Sequence, residues 1–216
     1  MLSKEQIQSN KDKFIDLIKS ITREGMDIDR LINKLEHSDF FTAPCSTVYH
    51  NAYEGGLCEH SLNVYNRLCK LIDIDYPKVI TDALGQTIPA INNSCPFTDD
   101  TLKIVALLHD ISKMNFYEVA ERNAKDEKGN WVKIPFIKVK DAHDRFLFSN
   151  HEMNSLFMIQ QFVPLTVEES AAIANHMGGK SEDSAKTEIT AIYNKYPLAT
   201  YLHLADMSAT FIDERI

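Results

Sequence analysis

The chain has 216 residues with a formal net charge of −8, and its composition is 44% hydrophobic and 25% charged. This balance is ordinary for a globular chain with one sizeable core, and it excludes a disordered, fibrous or low-complexity protein. The acidic charge, with a pI near 5.5, opposes the binding of nucleic acid in bulk and favours small substrates.

Targeting and disulfide signals are missing from the pattern. The sequence "MLSKEQIQSNKDKF" at the start is charged from residue 4 and lacks the apolar segment of a signal peptide, and no stretch approaches the length of a membrane span. The four cysteines show neither a CxxC spacing nor the density of a disulfide scaffold, so we expect reduced thiols. The sequence therefore predicts a cytoplasmic protein without a membrane partner, and it gives no indication of oligomeric state.

Helical patterns with capping signals begin the chain. "SKEQ" at residues 3–6 has the capping-box pattern, and an apolar stripe follows it. Asp27 can cap a second helix, in which apolar residues recur at i, i+3, i+4 and i+7. We expect these N-terminal helices, within residues 1–45, to pack on a domain formed by residues 46–216, so that the chain is one globular unit.

The rest of the chain also favours helices, because apolar residues recur at helical spacing after turn or capping residues. The fourth helix carries "LKIVALLHD", and "TVEE" near residue 166 is a second capping box. Further helix starts are expected after Gly55-Gly56, at Asp99 or Asp100, near His151, at Thr166 and at Pro197.

The segment "YEVAERNAKDEKGNWVKIPFIKVK" at residues 117–140 is the exception. It is rich in β-branched and aromatic residues, Pro135 disfavours a helix interior, and "DEKGN" has turn chemistry. The sequence therefore predicts an all-α fold, a helical bundle with a small inserted β-hairpin.

The segment "KIVALLHDISK" at residues 103–113 ends an apolar run on a histidine and an aspartate. A buried carboxylate costs several kcal/mol unless it is paired, hydrogen-bonded or bound to metal, so Asp110 requires partners. A second His-Asp dipeptide, His143-Asp144, has Asp141 and Arg145 as neighbours and is expected on the surface. A His-Asp dipeptide alone therefore does not indicate a site, and the preceding apolar run does.

Four further polar residues lie on or beside apolar helix faces and can serve as partners of His109 and Asp110. One such histidine is more often structural than a ligand, but the whole set needs a common explanation, and metal binding supplies one. The two oxygens of Asp110 could bridge two ions, as in two-metal sites for in-line attack on phosphorus. In that arrangement one ion takes His60, His109 and Asp206, and the other takes His151 and His176.

This set of motifs resembles the HD-domain superfamily of metal-dependent phosphohydrolases, whose pattern is a histidine, a His-Asp pair and a distant aspartate. The phrases "GGLCEHSLNV", "LLHDISK", "ANHMGG" and "LHLADMSATFIDE" carry the resemblance, which covers residues 46–214. His151 and His176 are similar to the additional histidines of its binuclear branch. Ser112 and Ser149-Asn150 depart from the family pattern, because glycine is common at these places.

The resemblance implies an HD-domain helical bundle with one or two divalent ions, among Fe, Mn, Zn, Ni or Mg, and hydrolysis of a phosphate ester by metal-bound hydroxide. The expected catalytic residues are Asp110 and Lys113, where Lys113 places a positive charge on the phosphate; a solvated lysine near a helix end is the equal alternative. The substrate class is a nucleotide or a related small molecule.

Three interpretations stay open. The hairpin carries lysines with Trp131 and Phe136 between them, so it could hold a base or short nucleic acid, although a solvated hairpin with Trp131 packed inward is the simpler interpretation. His50 could face the same cleft or lie in a loop. The alternatives to a small-molecule phosphatase are a 3′-5′ exonuclease or phosphodiesterase on short nucleic acid, and a non-catalytic scaffold that binds metal or nucleotide.

Overall fold

The structure is a computed structural model that describes residues 1–81, 85–89, 94–178 and 183–215. Helix predominates over strand in the described residues. The helices in chain order are α1 (Lys4–Lys19), α2 (Ile28–Glu36), α3 (Gly56–Asp75), α4 (Asp99–Leu108), α5 (His151–Ile159), α6 (Val167–Ala174), α7 (Asp183–Lys195) and α8 (Pro197–Ser208). The strands are β1 (Val79–Thr81), β2 (Thr87–Pro89), β3 (Tyr117–Lys125) and β4 (Trp131–Val139).

The core of the molecule is built on α3, which packs against α4 and α8, while α6 packs against α8 and α5. The apolar run of α4 is fully buried from Ile104 to Leu108. Burial of each large aliphatic side chain contributes about 1.5–3 kcal/mol, so α4 is held firmly at the centre. The residues that follow α4 are thereby fixed in the interior, and they are His109 and Asp110.

The capping predictions are confirmed. Ser3 and Gln6 exchange hydrogen bonds at 3.2 and 2.7 Å, and Thr166 and Glu169 form the same capping box at the start of α6. Asp27 caps α2 by accepting a hydrogen bond from a backbone N–H at 3.1 Å. The capping signals therefore placed these helix starts correctly from the sequence alone.

The hairpin prediction is also confirmed, because β3 and β4 pair antiparallel with Tyr117 opposite Val139 and Lys125 opposite Trp131. The turn is held by Asp126, whose carboxylate accepts hydrogen bonds from two backbone N–H groups of residues 128–130. The inward packing of Trp131 is wrong: its side chain is 70% exposed and lies beside the Lys125 ammonium. A two-stranded ribbon buries little on either face, so a large ring can remain in solvent.

Two elements were not expected from the sequence. One is the short ribbon of β1 and β2, which pair antiparallel, and the other is α7. In the part of the chain that the structure describes, no helix is both long and apolar enough to cross a membrane.

Candidate metal centre

His109 and Asp110 lie where α4 ends. The imidazole Nδ1 of His109 donates to the Ala106 carbonyl at 2.8 Å, which leaves Nε2 with its lone pair. Asp110 departs from helical backbone geometry and a short 3-10 turn, Ile111–Lys113, follows it. Both side chains are buried, so their polar atoms face the interior and not solvent.

The two carboxylate oxygens of Asp110 face two different pairs of imidazoles. Oδ2 lies 3.5 Å from Nε2 of His109 and 3.7 Å from Nε2 of His60. Oδ1 lies 3.6 Å from Nε2 of His176 and 3.7 Å from Nε2 of His151. A carboxylate with imidazoles beside both oxygens could contribute to one ion or to two, and potential ligand atoms of His109, Asp110 and His176 also lie within 4.8 Å of one another.

Asp206 completes the first group from α8, with Oδ1 3.2 Å from Nε2 of His60. The potential ligand atoms of His60, His109 and Asp206 all lie within 4.8 Å of one another. Two ligands on one zinc-like ion are separated by up to about 4.2 Å, because each bond is about 2.1 Å long. Small side-chain adjustments therefore suffice for these three residues to share an ion.

The interior atoms of this cluster lack hydrogen-bond partners. Leaving a buried polar atom without a partner costs about 1–3 kcal/mol, so several in one place indicate a missing ligand. Imidazole nitrogens with carboxylate oxygens are the donor set of divalent transition metals, and the residues present fit such an ion. The unpartnered atoms that converge here are Nε2 of His60, His109, His151 and His176 and Oδ1 of Asp110.

The charge states differ among the four histidines. Burial lowers the pKa of His109 to about 4 and also lowers the pKa of His151, so both rings are neutral at pH 7. Burial opposes protonation of His176 too, but the nearby Asp110 carboxylate outweighs it and raises the pKa of His176. For His60, burial is likewise outweighed, by the Asp206 and Glu214 carboxylates beside its two ring nitrogens, and the pKa is raised. Metal binding would therefore release protons, because the ligands must be neutral imidazoles.

Lys113 is the immediate counterion of Asp110, with Nζ 2.7 Å from Oδ2. Burial alone would raise the pKa of the Asp110 carboxyl, but the ammonium of Lys113 and the histidines hold it well below its usual range. Burial would lower the pKa of Lys113, and Asp110 raises it instead. The Lys113 side chain is 15% exposed and lines a cavity, so it is not the solvated lysine of the alternative interpretation.

A cavity of about 530 Å³ opens above the cluster. His151, Asp206 and Lys113 contribute to its floor, and His50 lines it as well. Trp131, on the exposed hairpin, is not among the residues that line the cavity. Of the three residues considered for substrate binding, the structure thus brings Lys113 and His50 to the cluster and leaves Trp131 away from it.

The departures from the family pattern have structural roles. The Ser112 hydroxyl donates to the His151 carbonyl at 2.9 Å and accepts from Ser155 at 3.0 Å, which ties the start of α5 to the turn after α4. Asn150 caps α5 by accepting from the backbone N–H of Met153 at 3.0 Å. These contacts fix the helix end on which His151 lies.

Two residues near the cluster were not identified from the sequence. Glu214 accepts hydrogen bonds from the rings of His50 and His60, and these outweigh the effect of burial and lower its pKa to about 2. His203 lines the cavity, and its Nδ1 donates to the His176 carbonyl at 2.6 Å. Glu214 follows Asp206 by eight residues in "DMSATFIDE", and only this proximity along the chain could have indicated it.

Cys45, His50 and His60 form another group of potential metal ligands, whose ligand atoms lie within 4.8 Å of one another. Nδ1 of His50 and Nδ1 of His60 both have Glu214 as a partner, at 2.8 and 3.0 Å. Because Glu214 already satisfies these nitrogens, the unpartnered atoms around Asp110 are the better metal site.

Comparison with known proteins adds no assignment. No protein-family model, no curated protein and no solved structure matches the chain. The geometry described above therefore carries the functional interpretation.

Proposed function

We propose that this chain is a metal-dependent phosphohydrolase of the HD-domain type, which holds two divalent ions on either side of Asp110 and cleaves a phosphate ester of a nucleotide or related small molecule. The observation that carries the proposal is the division of the Asp110 carboxylate, whose two oxygens each face a separate pair of imidazole Nε2 atoms. Those nitrogens are buried and lack hydrogen-bond partners.

These distances support the following ligand assignment. His60, His109 and Asp206 would hold one ion, His151 and His176 would hold the other, and Asp110 would contribute an oxygen to each. When bound, such ions polarise a phosphoryl group and lower the pKa of water to about 7. Lys113 keeps Asp110 ionised and presents a positive charge to the cavity, where it can neutralise a phosphate oxygen.

The cavity favours an organic group with an apolar, planar part. Tyr49, Phe211, Met177 and Met207 line it and are all exposed to solvent, 81% in the case of Tyr49. Exposed aromatic and methionine side chains around a charged floor suit the stacking of a nucleobase whose phosphate faces the ions. The volume of about 530 Å³ is within the usual range for small-molecule sites.

The hairpin supports a polymer substrate less well. Lys133 pairs with Glu121 at 3.3 Å and Lys138 pairs with Glu118 at 2.7 Å, so these lysine charges are already balanced. A nucleic-acid groove requires an uncompensated positive surface. We therefore favour the small-molecule substrate over the exonuclease alternative.

The test combines metal content with hydrolysis. Protein purified without chelator is subjected to elemental analysis and then, with Mn²⁺ added, to a panel of nucleoside monophosphates, glycerol phosphate and dinucleotides. We expect close to two ions per chain and hydrolysis of the nucleoside monophosphates above the other compounds. Metal binding with no hydrolysis in the panel would favour the non-catalytic scaffold, and preferred cleavage of dinucleotides would favour the exonuclease.

A further inference from the structure

Glu214 forms a hydrogen bond with His60, one of the proposed metal ligands, at the ring nitrogen Nδ1. Its side chain is 1% exposed, and Oε1 lies 3.0 Å from Nδ1 of His60 and accepts a hydrogen bond from the Asn63 amide at 3.0 Å. Asp206 lies on the opposite side of the same ring, 3.2 Å from Nε2. The imidazole of His60 therefore lies between two buried carboxylates, one beside each ring nitrogen.

The backbone explains how one segment supplies both carboxylates. Five residues in π-helical geometry, Ala209–Asp213, follow α8, and the N–H of Glu214 donates to the Ala209 carbonyl at 3.0 Å. Such a widened turn changes the direction of the residues that follow it, and π-turns are frequent at functional sites. Glu214 is thereby directed to the Nδ1 side of His60, although Asp206 on the preceding helix contacts Nε2.

A second contact anchors the same turn and offers a control. Asp213 forms an ion pair with two guanidinium nitrogens of Arg67, Nε and Nη2, and Arg67 lies two turns after His60 on α3. This pair is at the surface, with side chains 25% and 33% exposed, and neither residue lines the cavity. Asp213 and Glu214 are therefore adjacent carboxylates that both dock the turn on α3, but only Glu214 contacts a proposed ligand.

We propose that Glu214 is a positioning residue, which accepts the Nδ1 proton of His60 and so keeps the Nε2 lone pair directed at the first metal position. This inference rests on the proposed metal centre. A carboxylate behind a ligating histidine fixes its tautomer and raises its basicity, and loss of such a partner typically weakens metal binding 10- to 100-fold. The competing explanation is that Glu214 only docks the turn, as Asp213 does.

The experiment compares Glu214→Gln with Asp213→Asn, two variants that each remove one negative charge from the same turn. Apo protein is titrated with Co²⁺ against a competing chelator, and the visible absorption of the Co²⁺ form is recorded. We expect Glu214→Gln to weaken one of two Co²⁺ ions by about 10- to 100-fold and to alter the absorption, and Asp213→Asn to stay within about threefold of wild type.

A second measurement uses the unaltered protein, in case Glu214→Gln does not fold. Nitrogen NMR of the Zn²⁺-loaded wild type reports the tautomer of His60, and we expect the proton on Nδ1. A proton on Nε2, wild-type affinity in Glu214→Gln, or equal losses in both variants would each overturn the inference. Wild type that binds no Co²⁺ overturns the proposed metal centre as well, whereas two ions held equally tightly by wild type and Glu214→Gln overturn only the role of Glu214.

Discussion

Two buried carboxylates in this molecule have opposite surroundings. Glu169 accepts hydrogen bonds from Arg23 through both oxygens at 2.7 Å, from Thr101 at 2.8 Å and from the backbone of Thr166 at 2.8 Å. Asp110 has one close partner, Lys113, and its Oδ1 faces imidazole nitrogens that make no hydrogen bond with it. The protein thus supplies hydrogen-bond donors to both oxygens of Glu169 but supplies none to Oδ1 of Asp110.

Under the proposed function, this difference separates a structural carboxylate from a metal-binding carboxylate. Burial and a lowered pKa are common to both groups. What differs is the number of hydrogen-bond donors: Glu169 accepts hydrogen bonds at both oxygens, whereas Oδ1 of Asp110 has no hydrogen-bond partner among the described residues. A third carboxylate, Asp144, belongs to neither class, because it is exposed together with His143, as the sequence predicts.

The largest effect should come from the substitution Asp110→Ala. We expect hydrolysis to fall by at least about a thousandfold, which is ~4 kcal/mol of transition-state stabilisation, because the bridge between the ions is lost. Asp144→Ala should retain wild-type hydrolysis and metal content. Rates on a nucleoside monophosphate at saturating Mn²⁺ measure both, and similar losses in the two variants would remove the distinction between the two His-Asp pairs.

The second effect concerns the stability contributed by Glu169. We expect Glu169→Gln to lower the free energy of unfolding by about 1.5–3 kcal/mol at pH 7, because it weakens the charge-assisted hydrogen bonds from Arg23. Burial would raise the pKa of Glu169, but the hydrogen bond from Arg23 outweighs it and lowers the pKa below its ordinary value near 4.5. The contribution is therefore full above about pH 4.5 and is lost as the pH falls through the lower pKa of the folded state. Urea unfolding between pH 7 and pH 3 measures it, and a difference that grows in acid would contradict this assignment.

The third effect is the response to chelation, which should differ between variants of Asp110 and variants of Glu169. Metal present at a hundredfold excess over its dissociation constant stabilises the folded chain by about 2.7 kcal/mol, so chelation should lower the melting temperature of wild type. Glu169→Gln should melt lower but keep the same chelator response, and Asp110→Asn should respond little because it lacks metal affinity. A wild type that initially contains metal, and whose melting temperature ignores chelator, would mean that Asp110 is satisfied by the protein alone.

A fourth prediction distinguishes the two proposed metal positions. His151→Ala or His176→Ala should reduce the bound metal by about one ion per chain while the fold is retained, because each is assigned to the second ion of a two-metal site. His143→Ala is the matched control and should leave the metal content unchanged. If wild type takes up a single ion at saturating metal, His151 and His176 are better interpreted as phosphate-binding or general acid groups.

The smallest effect is expected at the cavity wall. Phe211→Ala should raise KM for a nucleoside monophosphate by about tenfold, since stacking on an aromatic ring contributes ~1–3 kcal/mol. Phe148 is similarly exposed, but it stacks on Phe157 at 5.0 Å and does not line the cavity, so Phe148→Ala is the control. Equal KM values for the two variants would argue against base stacking at this wall.

The sequence was informative where a local rule applies. Capping residues placed the starts of α1, α2 and α6, and turn chemistry placed the hairpin. The structure also brings His60 and His109 to one oxygen of Asp110 and His151 and His176 to the other, and their role as metal ligands stays a prediction. Occupancy by metal stays a prediction.

The features that could not be predicted depend on contacts between distant segments. Glu214 looks like an ordinary surface glutamate in the sequence, and only the docking of its turn against α3 buries it beside His60. Ser112 similarly gains its role from Ser155 and the carbonyl of His151, which are 43 and 39 residues away. Trp131 was misjudged because aromatic composition usually indicates packing, whereas a two-stranded ribbon has too little partner surface to bury it.

The hydrogen bonds behind the histidine rings imply different robustness to mutation. His109 and His176 each donate through Nδ1 to a main-chain carbonyl three residues earlier, at 2.8 and 2.7 Å. A substitution at either of those earlier positions changes a side chain and leaves the backbone carbonyl in place. The orientation of the two rings is therefore set by the backbone of the helix end. His60 instead depends on the side chain of Glu214, which a single substitution can delete. If the proposed metal centre is present, genetic variation at residue 214 should change metal affinity at the position next to His60, while the orientation of the His109 and His176 rings stays constant.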